Sequence, residues 1–146
     1  ILIPDEYVES ITERLALYTR LDQCENEGEL QIFKDEMIDR FGPIPKEVED
    51  LLITIRCRWL AVELGFEKMT LKNEILRCYF INKNDSPYFE SEIFKSILDF
   101  LQTGTNQGKL KQTGINFILL VKDINSMASM HQFLKKMHKA VSTNPA

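Results

Sequence analysis

The stretch from Glu29 to Pro45 constrains the fold more than any other, because it specifies a helix with both ends marked. Asn26 and Glu29 stand at capping-box spacing, where side-chain oxygens accept from backbone N–H groups that a first helical turn leaves unpaired. Leu30, Phe33, Met37 and Phe41 recur at steps of three and four and make one apolar stripe. Gly42 suits a left-handed C-terminal residue, and Pro43 cannot continue a helix. At ~100° per residue, Glu29, Ile32, Asp35, Glu36 and Asp39 fall on the face opposite the stripe. Acids on a helix face are ordinarily solvated. Two features point instead to a partner. Ile32 is apolar and lies inside the acidic patch, and Lys34 and Arg40 lie outside it, so the helix gives these acids no cation on their own face. A partner offering Arg beside an apolar side chain would suit such a surface. On the residues alone, the solvated face and the docking face both stay open.

Before this helix, Pro4 and Asp5 can start a first helix, with Val8, Ile11, Leu15, Tyr18 and Leu21 or Cys24 as its apolar stripe. Arg14 and Arg20 then stand with Glu9 and Glu13 on its outer faces, and a short turn makes the first two helices antiparallel. Pro45 opens a third helix that runs to about Leu64, with Val48, Leu51, Leu52, Ile55, Trp59 and Val62 inward. Its apolar residues extend beyond one stripe, which predicts the most buried helix of the chain. Trp59 reads as a core anchor, and Gly65 as the helix stop.

The period then changes. Phe66–Leu71 and Ile75–Ile81 read as strands around a polar turn at Lys72-Asn73-Glu74. Asn82–Asp85 is a polar loop, and Ser86-Pro87 caps a fourth helix that reaches about Gln102. In that helix Phe89, Ile93, Ile97 and Leu101 form a row, with Phe94 and Leu98 beside it. Strands over Lys109–Thr113 and Ile115–Val121 follow, the second apolar enough to be covered on much of both faces. A fifth helix over about Asn125–Ala140 carries Met127, Met130, Leu134, Met137 and Val141 in one seam. The order predicts an α+β fold: an N-terminal helical layer, then a small, mainly antiparallel sheet with packed helices. Residues 1–141 read as a single domain and 142–146 as a frayed tail. No repeat at a fixed period is visible.

Charge is divided unevenly. Residues 1–50 carry 14 acids against 5 bases, and the remainder 8 against 13. The acidic part disfavours nucleic acid. The bases beyond it are scattered along the sequence with no dense stripe of interleaved aromatics, which argues against DNA binding by this segment. Cys24, Cys57 and Cys78 form no CxxC pair and read as reduced thiols of a cytoplasmic protein. The chain shows no membrane span or signal peptide, and its opening without Met suggests a fragment of a longer protein. It lacks a G-x-x-x-x-G-K-S/T loop, a G-x-G-x-x-G run and a G-x-S-x-G elbow. His131 and His138, seven apart on one helix, are badly spaced for one metal. Glu36 and Asp39 have no nucleophile nearby to serve as an acid/base pair. The expectation is therefore no catalytic, cofactor-binding or metal residue.

Four separated motifs carry a resemblance. Glu36-Met37-Ile38-Asp39-Arg40-Phe41-Gly42-Pro43-Ile44-Pro45 resembles the E-L-x-D-R-F-G-x-x-P signature of the C-terminal domain of bacterial transcription-repair coupling factors. Ile3-Pro4-Asp5-Glu6-Tyr7-Val8 resembles that family's I-P-x-x-Y-I/V, and Arg14-Leu15-Ala16-Leu17-Tyr18-Thr19-Arg20-Leu21 its R-L-x-x-Y-K-R-I/L, with Thr19 in place of Lys. Leu64-Gly65-Phe66-Glu67-Lys68-Met69 resembles the later L-G-I-x-K-L. The pattern covers residues 1 to 70 and weakens beyond.

The resemblance implies a noncatalytic domain of a large helicase-type ATPase. That motor, with ATP and Mg, pushes stalled RNA polymerase off damaged DNA and recruits the excision-repair subunit UvrA. The domain is expected to fold onto the N-terminal UvrA-binding module of the same protein and hide its binding surface. By the motif match Glu36 and Asp39 face that module, with Ile32, Asp35 and Glu29 beside them. Contact with UvrA, RNA polymerase and DNA is then indirect, through the parent. The competing reading is an independent nucleic-acid-binding or hydrolase domain that shares a helix pattern.

Overall fold

Two N-caps set the first helices. The Ser10 side chain accepts from the backbone N–H of Glu13, and that of Asn26 from Glu29. The computed structural model describes residues 2–81, 87–114 and 116–143. The helices are α1 (Ile11–Asp22), α2 (Glu27–Phe41), α3 (Lys46–Leu64), α4 (Glu92–Thr103) and α5 (Met127–Thr143), with strands β1 (Phe66–Lys72), β2 (Ile75–Phe80), β3 (Gly108–Thr113) and β4 (Asn116–Val121). The architecture is α+β, as the element order predicted. The chain forms two compact units, Ile1–Trp59 and Leu60–Ala146.

In the first unit the first helix begins later than predicted. Asp5 to Val8 is a bent segment, and Ser10, which has capping-box spacing to Glu13, is the true cap. Leu17 and Leu21 are buried, while Ile11 and Leu15 are 67% and 61% exposed, contrary to the expected stripe. Arg14 is turned inward, not outward: its guanidinium donates to the carbonyls of Val8 and Glu9 and so ties down the bent segment. The phenol of Tyr18 accepts from the Ile3 N–H at 2.6 Å, and that of Tyr7 donates to the Gly42 carbonyl at 2.8 Å. These bonds hold the N-terminal segment over a core that includes Leu17, Leu30, Phe33, Met37, Leu52 and Ile55.

The helix α3 contributes the most buried apolar residues of the five helices, among them Val48, Leu52, Ile55, Ala61 and Leu64. Val62, expected inside, is 71% exposed. Trp59 is half-buried against the first unit's core, and its indole N–H donates to the Cys24 carbonyl at 3.1 Å. Trp59→Phe keeps most of the packing and loses this bond. Denaturant unfolding should register a loss of about 1 kcal/mol, and an unchanged midpoint would mean that the bond contributes nothing.

In the second unit Asn73 and Glu74 both adopt positive φ, 53° and 63°, as a two-residue hairpin turn of matching twist requires. The strand order is β1-β2-β4-β3, and every pairing is antiparallel. The topology is a hairpin and a helix, used twice, with the hairpins joined through β2 and β4. Sequence shows no such repeat, because only the path of the chain recurs. Leu76, Cys78 and Phe80 of β2 and Leu119 and Val121 of β4 are buried on one sheet face. Rings of Phe80, Phe94 and Phe117 meet there, and α4 packs on α5 through Phe100 and Phe133.

The predicted fourth helix is broken. Pro87–Glu90 is a short 3-10 turn, and Ser91 caps α4 anew by accepting from the N–H of Phe94. Phe94, Ile97 and Phe100 are therefore its inner residues, and Ile93 is 37% exposed. In α5 the seam holds at Met130, Leu134 and Met137, with Phe133 added. The expected loop at Asn82–Asp85, the cap at Ser86, the strand residue Ile115 and the end of the tail lie outside the described residues.

Candidate interaction surface on the second helix

Burial of Leu30, Phe33 and Met37 fixes which way α2 turns. Its other face is thereby presented to solvent. Ile32 is 60% exposed, and Glu29, Asp35, Glu36 and Asp39 are exposed around it. The structure thus brings all five sequence-selected residues onto one open surface. Gly42 ends the helix at φ 92°, and its N–H donates to the Ile38 carbonyl, so the signature's glycine serves the helix stop.

One acid of this face, Glu36, receives a cation, and it comes from the neighbouring helix and not from α2 itself. Arg20 reaches across from α1 to Glu36 at 2.6 Å, and Arg40 pairs with Glu13. These two bridges link α1 and α2 in antiparallel register. A helical wheel of one element cannot show a cation supplied by its neighbour. Glu29 accepts from the Glu25 N–H at 2.9 Å, completing the cap, and Asp35 accepts from the Gln31 amide at 2.9 Å. Among the described residues Asp39 makes no ion pair.

Beside Ile32 lies a shallow depression of about 320 Å³ lined by Arg20, Gln23, Cys24, Glu29, Ile32 and Phe33. Arg20 also stands over the Phe33 ring, 5.5 Å from its centroid. Burial, and then the charge of Glu29, raise the Cys24 thiol above its ordinary pKa, with Arg20 opposing them. A thiol held neutral is a poor nucleophile. The half-exposed Arg20–Glu36 pair is worth ~0–1 kcal/mol at most, so exchanging Arg20 for a partner's cation costs little. An apolar side chain ringed by solvated carboxylates and bordered by a depression is suited to docking.

Sequence reasoning missed Arg20, Gln23 and Cys24 as parts of this surface. Arg20 stood in a recognised motif, but its role depends on which face of α1 meets α2. The exposure of Ile11 and Leu15 on α1 was missed for the same reason. Among the described residues no group of three or more His, Cys, Asp and Glu side chains could hold a metal ion. His138 pairs with Glu63. No helix among them is long and apolar enough to cross a membrane.

A family model of the TRCF domain matches residues 1–91. The transcription-repair-coupling factor of Rickettsia typhi is 34% identical over 137 residues, which are 92% of this chain and 11% of that protein. The Escherichia coli K12 protein of the same name is 38% identical over 68 residues, 47% of this chain. This chain therefore spans about a tenth of the length of such relatives. A crystal structure of the C-terminal domain of transcription-repair coupling factor superposes with a TM-score of 0.74, covering 99% of this chain and 90% of that one at 16% identity. At that identity the likeness shows the shared fold.

Proposed function

The chain belongs to the TRCF domain family of transcription-repair-coupling factors, and on that premise we propose that the outer face of α2 is its functional surface. The domain acts without chemistry of its own. It packs on the N-terminal UvrA-binding module of the same protein and masks it until the motor engages stalled RNA polymerase. ATP and Mg belong to that motor, which is the part that translocates along DNA, and UvrA binds the module that the domain covers. The observation that carries this reading is Ile32, 60% exposed within the acidic face of the helix that also bears the family signature. An exposed isoleucine ringed by acids fits a partner that buries it beside arginines.

Breaking a partly buried charged contact typically costs ~2–5 kcal/mol. Tethering in one polypeptide lets even a weak contact hold the module closed. Glu36→Ala combined with Asp39→Ala should leave the domain folded, because exposed helix positions tolerate alanine. In the full-length protein the pair of changes should raise UvrA affinity about tenfold or more, measured by calorimetry, with circular dichroism as the check on folding. An unchanged affinity with an intact fold would mean that the acidic face is only solvated.

A further inference from the structure

The sheet has a second face, opposite α4 and α5, and strand pairing gathers onto it cations that lie far apart in sequence. One row across the four strands reads Lys68, Tyr79, Ile118, Lys111; the next reads Thr70, Arg77, Leu120, Lys109. Lys72 and Ile75 pair beyond the second row, and Lys122 follows β4 at the same end. The outer strands carry exposed lysines, and the inner strands carry half-buried Ile75, Arg77, Tyr79, Ile118 and Leu120. Among the residues of the four strands the single acid is Glu67, which sits in the bulge between Phe66 and Lys68 at the edge of β1. Among the described residues none of these six cations is paired with a carboxylate. At ~4.8 Å between strands, the two lysine rims stand about 14 Å apart.

We infer that this face binds a nucleic-acid strand, with phosphates on the lysine rims and a base against Tyr79. Two observations favour nucleic acid over an acidic protein. Five of the six cations are lysines, which protein–protein interfaces avoid and phosphate-binding surfaces use. Tyr79 lies flat enough for the Lys68 ammonium to sit over its ring, 5.3 Å from the centroid, so a cation and a stacking platform stand side by side. A depression of about 290 Å³ between Arg77, Lys109, Leu120 and Lys122 gives the strand a seat at one end. The acidity of the first fifty residues hides this surface in the chain's net charge of −4.

The test is fluorescence anisotropy of this chain with a labelled fifteen-nucleotide single strand and a duplex of equal length. About four phosphate contacts predict that affinity for the single strand falls on the order of 50-fold between 50 and 200 mM salt. Lys68→Glu, Lys109→Glu and Lys111→Glu together change exposed side chains only, and should lower affinity at least tenfold with the circular dichroism spectrum intact. Tyr79→Ala should weaken the single strand several-fold and leave the duplex unchanged. Equal loss for both would overturn stacking, and with it the single strand as ligand. Binding that ignores salt, or that survives the triple charge reversal, would overturn the site. So would a polyglutamate peptide that binds more tightly than the oligonucleotide and depends on the same residues, which would assign the face to an acidic protein.

Discussion

Gly65→Ala is expected to destabilise the second unit by about 2–5 kcal/mol. Gly65 has φ 90°, a conformation that costs an L side chain ~1–2 kcal/mol. A Cβ built there would stand 2.2 Å from the Tyr88 ring. That ring is not free to retreat. It contacts Phe80, Phe89 and Phe94, and its hydroxyl donates to the Leu64 carbonyl. Overpacking of this kind adds ~1–3 kcal/mol. Gly42→Ala is the control. Its φ is 92°, yet nothing lies within 4 Å of the added Cβ, so only backbone strain is incurred. Urea midpoints of the two variants separate the terms. If Gly65→Ala costs no more than Gly42→Ala, the Tyr88 ring does not close over the end of α3.

Raising the pH should cost the first unit about as much through one thiol. Cys57 is fully buried, and burial pushes its pKa from 9.0 to about 12, with Arg56 opposing. Between those values the unfolded chain gives up the proton and the folded chain keeps it. The native state then binds more protons than the unfolded state, so stability falls as pH rises. The contribution is fully present below pH 9 and is lost towards pH 12 at ~1.4 kcal/mol per unit, on the order of 4 kcal/mol in all. Burial also raises Tyr88, so alkaline loss of stability has more than one source. Cys57→Ala isolates this one. The variant should be somewhat less stable at pH 7, from the lost sulfur, and should show a shallower decline above pH 9. An identical decline would mean that the Cys57 thiolate is tolerated in the fold.

Local chemistry explains which parts were legible in advance. The second helix was readable to its ends because Asn26, Glu29, Gly42 and Pro43 act within one or two turns of the backbone they terminate. The hairpin turn at Asn73 and Glu74 was readable because it separates two runs of period two. The first helix was misread because Pro4-Asp5 and Ser10 are both competent starts. The choice went to Ser10 because Arg14, Tyr18 and Tyr7 hold the preceding segment in a bent form.

By itself the sequence determined the five helices and the four strands, the family, and the acidic face around Ile32. The elements and the acidic face rest on spacing along one element, which survives in the bare chain, and the family rests on four motifs taken together in order. Tertiary structure alone decided which charges meet. Glu36 acquired Arg20 because α1 runs antiparallel to α2. Lys68, Arg77, Lys109 and Lys111, spread over more than forty residues, came to one sheet face because β2 pairs with β4. Partners on neighbouring elements are fixed by register and packing. Neither has a period that the sequence can display.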